Sequence, residues 1–65
     1  MARAQMTIFA PSSKQATQEL MDIAQEVGQE GGVTVISVLP QGKHNWLVSY
    51  SAPERTIRLM EEWVS

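Results

Sequence analysis

The 65-residue chain contains no cysteine, so neither a disulfide nor a cysteine-based zinc site can hold it together. It has one histidine, His44, and its carboxylates are scattered, so no structural metal or cofactor is expected. Positive charge is also scarce. Five Lys and Arg stand against seven Asp and Glu, for a net charge of −2. Arg3, Lys14, Lys43, Arg55 and Arg58 are spread along the chain, whereas nucleic-acid binding needs clustered basic residues. No apolar run approaches the ~18 residues of a membrane span. The start "MARAQMTIF" has an apolar run too short for a signal peptide, and a cytoplasmic location is expected, which the lack of cysteine permits.

Catalytic signatures are missing as well. Gly31-Gly32 is not followed by the Lys-Ser/Thr pair of a phosphate-binding loop, and no Ser/His/Asp arrangement is visible. General base catalysis needs a geometry that one histidine does not document. No enzyme activity, catalytic residue or cofactor is therefore expected. A chain this short buries only about 60% of its unfolded surface and is marginal alone. With disulfides and metals excluded, self-association or docking on a larger protein is the remaining way to gain stability.

What is present reads as five elements. In "QMTIFAP", Met6, Ile8 and Ala10 alternate with Thr7 and Phe9, which predicts a strand ended by Pro11. "SSKQATQELMDIAQEVGQEGG" predicts a helix with Ser12 and Gln15 as a capping box. Its apolar stripe is Ala16, Leu20, Ile23, Ala24 and Val27, with Gly28 or Gly31-Gly32 as the stop. "VTVISVLP" predicts a second strand ended by Pro40, and "QGK" a turn in which Gly42 takes positive φ. "KHNWLVSY" opens a third strand, with Trp46, Val48 and Tyr50 on one face and Leu47 and Ser49 on the other. "SAPERTIRLMEEWVS" predicts a final helix, with Ser51 and Glu54 as a second capping box.

The order β-α-β-β-α predicts an α+β fold. A right-handed crossover makes strands one and two parallel, with strand three between them and antiparallel to both, and two helices on one face. This arrangement is similar to a ferredoxin-like fold (βαββαβ) that lacks its last strand. The resemblance implies that strand one is an edge, an open template for another chain.

Four surfaces are candidates for contact. On the last helix Ile57, Val64, Met60, Trp63 and Leu59 span about 160° of arc, more than the ~100° one core-facing stripe needs. Ile57, Met60 and Val64 fill that need, and Leu59 and Trp63 are left for a partner. On the first helix Glu19, Asp22, Glu26 and Glu30, spaced three, four and four apart, form an acidic lane for a basic partner. Both faces of strand two look apolar. Val33, Val35 and Leu39 share one side with Ser37, and Ile36 and Val38 the other with Thr34, so the open sheet face is expected to be covered. Lys43, His44 and Asn45 at the hairpin tip make a fourth possible contact, and Phe9 and Trp46 are further candidate contact residues.

The expectation is a non-enzymatic protein-interaction module, regulatory or inhibitory, of the kind phages and mobile elements encode. It would act through a hydrophobic surface as a homodimer or on a larger protein. A resemblance to ACT-like domains would imply instead a small molecule held at a dimer interface. A resemblance to RRM-like domains would imply RNA or single-stranded DNA stacking on Trp46 and Tyr50. The size and β-α-β start are similar to the 4-oxalocrotonate tautomerase family, but that family's N-terminal proline is replaced here by Ala2.

Overall fold

Alternating and helical stretches fold in the expected order: β1 (Ala2–Phe9), α1 (Ser13–Glu26), a 3-10 turn (Glu30–Gly32), β2 (Thr34–Gly42), β3 (Asn45–Ala52) and α2 (Glu54–Val64). The computed structural model describes residues 1–28 and 30–64, and of Glu30 only the backbone. The strands form one antiparallel sheet in the order β1-β3-β2, so β1 and β2 are both edges. β1 begins earlier than its hydrophobic pattern suggests, because Ala2 and Ala4 continue the alternation of Met6 and Ile8 with side chains too small to signal a strand.

Both helices cover one sheet face. From the sheet, Ile8, Val48, Tyr50 and Ala52 meet Ala16, Leu20 and Ala24 of α1 and Ile57 and Met60 of α2 in a single core. Ser12 caps α1, its hydroxyl accepting from the Gln15 N–H at 3.3 Å. Gly28, at φ 74°, turns the chain out of α1 through the left-handed region that glycine enters without steric cost.

Four local expectations are corrected. Pro40 does not end β2 but lies within it, opposite Trp46. The reason lies in the ladder. The Ala10 N–H donates to the His44 carbonyl, so even-numbered residues of β3 bond towards β1 and odd-numbered ones towards β2. Leu39, opposite Leu47, is thus bonded, and the Pro40 nitrogen points to the open edge, where no ladder bond is lost. The hairpin turn is Lys43-His44, and His44, not Gly42, takes positive φ at 66°. Histidine is among the non-glycine residues enriched there. Ser51 is not a cap: it pairs with Arg3 and Thr34 inside the sheet. α2 starts instead from Pro53, whose carbonyl accepts from the Ile57 N–H at 3.1 Å.

The fourth correction concerns the faces of β2. The register shifts between Val35 and Ser37, a bulge at Ile36 that resets the alternation. Val33, Val35 and Val38 therefore pack against the core, while Ile36, Ser37 and Leu39 share the open face. That face mixes polar residues with the exposed apolar side chains of Phe9, Ile36 and Leu39. Arg3, Gln5, Ser37 and Ser49 surround Ile36 there, and the Gln5 amide donates to the Ser49 hydroxyl at 3.4 Å.

Candidate interaction surfaces

The stretch "KHNWLVSY" resolves into a structural strand with an exposed turn. Trp46, Val48 and Tyr50 face the helices, and Tyr50 is completely buried. The Trp46 indole N–H donates to the Ala10 carbonyl at 2.9 Å. The Tyr50 ring is therefore not available for stacking on a base, while the Trp46 ring is half-buried. His44 is exposed and meets Phe9 edge-on, with ring centroids 5.8 Å apart. Phe9 itself is 70% exposed on the open face. Of the other expected contact residues, Val38 packs on the core and Ile36 stands exposed on the open face.

α2 divides its broad apolar arc differently from the expectation. Ile57 and Met60 are buried and Leu59 is half-buried. Val64, expected in the core, is 49% exposed, and Trp63 is 52% exposed. Val64 lines a groove of about 520 Å³ with Ile23 of α1 and residues Gln5 to Phe9 of β1; Glu19 and Glu61 complete its lining.

Trp63, the residue before Val64, also borders Ile23. With Ile23 it lines a second groove, of about 300 Å³, whose remaining residues are Glu19, Asp22 and Glu26. The structure thus brings the acidic lane and the exposed tryptophan together. The fourth expected member, Glu30, follows the end of α1 at Glu26 and opens the 3-10 turn, and its side chain lies outside the described residues. The Gln18 amide donates to the Asp22 carboxylate at 3.0 Å. Among the described residues, Glu19, Asp22 and Glu26 are part of no carboxylate cluster that could hold a metal ion.

Sequence reading missed the β1 groove and the state of Tyr50. The Tyr50 hydroxyl is buried and has no hydrogen-bond partner among the described residues. Burial raises its pKa, and the negative charge of Glu61 adds to the shift. A lone tyrosine on the inward face of a central strand was the available signal. Among the described residues, no helix is long and apolar enough to cross a membrane. No protein-family model, no curated protein and no solved structure matches the chain.

Proposed function

We propose that this chain is a non-enzymatic protein-interaction module, regulatory or inhibitory in role, that works through the apolar rim where α2 ends beside β1. The observation that supports this reading is the half-exposure of Trp63 and Val64 on a domain with little stability to spare. Burying one such side chain contributes about 1.5–3 kcal/mol. Trp63 and Val64 each leave about half of that burial unused beside Ile23, in a fold with only a few kcal/mol of stability. A partner that covers the rim recovers that energy as binding.

The test is light scattering across a concentration series on the wild type and on Trp63→Glu, with thermal unfolding in parallel. The expected result is that Trp63→Glu loses association and keeps the folded signal of the dilute monomer. An equal loss of folded signal would place Trp63 among the core residues and remove this reading.

A further inference from the structure

We infer that β1 is a homodimerisation strand, pairing antiparallel with β1 of a second copy to give one continuous six-stranded sheet. The inference rests on the interaction-module reading and names the partner as the chain itself.

The two edges of the sheet are guarded unequally. β2 is interrupted by register shifts at Ile36 and Gln41 and carries Pro40, the devices by which natural sheets block edge-to-edge pairing. β1 has none of them. It is continuous in register from Ala2 to Phe9, has no proline, and its only charged side chain is Arg3. Because the Ala10 N–H bonds to β3, the even residues of β1 point their backbone groups inward. Arg3, Gln5, Thr7 and Phe9 then direct free N–H and C=O groups to the open edge.

These four residues are self-complementary about a two-fold axis. With the axis at Met6, Arg3 pairs with Phe9 of the second copy and Gln5 with Thr7, so every outward residue has a partner. Between the paired strands no like charges are opposed, and Arg3 meets an aromatic face, a favourable cation–π contact. On the helix side Ala4 opposes Ile8 of the second copy and Met6 opposes Met6, small against large around the axis. The groove along this edge, lined by Ile23 and Val64 with Glu19 and Glu61, brings the exposed Val64 of each copy beside the paired strands. A residue i meeting j while j meets i is the isologous contact that closes at two copies. The assembly stops there, because the edges left over are the two guarded β2 strands.

The experiment is amide hydrogen exchange by NMR at dilute and at millimolar protein, with sedimentation of Thr7→Pro alongside. Proline at residue 7 removes one outward N–H per copy and no bond to β3. The expected result is that the amides of Arg3, Gln5, Thr7 and Phe9 gain protection with concentration, while those of Met6 and Ile8 are protected throughout. Thr7→Pro should stay folded and weaken the dimer roughly a hundredfold, one bond being lost on each side of the axis. A dimer whose outward amides exchange freely would overturn the inference and leave the interaction-module reading intact. A chain that stays monomeric at millimolar concentration would overturn it too, and a heterologous partner that then protects the same amides would preserve the module reading.

Discussion

The indole N–H of Trp46 donates to the carbonyl of Ala10 at 2.9 Å, across 36 residues of sequence. Ala10 returns the connection, its own N–H donating to the His44 carbonyl at 2.8 Å. The segment leaving β1 for α1 is thereby fixed to the first residues of β3. This closes the sheet end at which Phe9, the last residue of β1, stands exposed. Trp46→Phe keeps most of the ring and removes the donor, leaving a carbonyl to find water. We expect a loss of about 1–2 kcal/mol in urea unfolding, with association unchanged. An unaltered unfolding midpoint would show that the bond adds nothing over hydration.

Tyr50 supplies the opposite case, a buried hydroxyl with no partner among the described residues. Tyr50→Phe keeps the ring that fills the core and deletes the orphaned group. A gain of about 1 kcal/mol is expected, because an unsatisfied buried hydroxyl is desolvated without return. The substitution also has a pH signature. Burial first, and Glu61 second, raise the Tyr50 pKa above its ordinary value of 10.0. Below about pH 10 the ring is protonated in both folded and unfolded chains, and this group makes stability no function of pH. As pH rises above 10 the unfolded chain releases the proton more readily, so the native state loses stability. Unfolding of the wild type between pH 9 and 11 should show this loss and Tyr50→Phe should show less of it. Parallel curves would mean the hydroxyl reaches water.

The large features of the fold were legible because each rests on a strong local pattern. The stripe Ala16, Leu20, Ala24 and the alternation Trp46, Val48, Tyr50 both face the core as their periods require. The details went astray where one residue changes phase. A single bulge at Ile36 exchanges the faces of Val38 and Leu39, and β-branched runs give no warning of it. Pro40 looked like a stop because its cost depends on whether β2 is an edge, which is a property of the sheet. The acidic lane and Trp63 were each visible, but their meeting in one groove depends on how α1 packs beside α2.

His44 shows that a turn can depend on a non-glycine residue at positive φ. It holds φ 66° while its ring leans on Phe9. A β-branched side chain pays a steric penalty in that region, whereas asparagine enters it readily. His44→Val should therefore destabilise the domain by about 1–2 kcal/mol, and His44→Asn should be close to neutral. Thermal unfolding of the two variants decides the matter. Equal effects would mean that the ring contact with Phe9, which both variants lose, matters more than the backbone.

Glu26 lies at the C-terminal end of α1, where the helix dipole disfavours an anion, and one turn after Asp22. Glu26→Arg reverses both terms. The arginine would face Asp22 at the favourable i, i+4 spacing and would complement the last carbonyls of the helix. A gain of about 0.5–1 kcal/mol is expected at low ionic strength. It should shrink in 1 M salt, where charges are screened beyond ~3 Å. The same substitution places a cation in the groove beside Trp63, so a partner that uses this acidic wall should bind the variant more weakly while the free domain becomes more stable. A gain in stability with partner binding unchanged would assign the lane to solvent and leave the apolar rim as the whole of the contact.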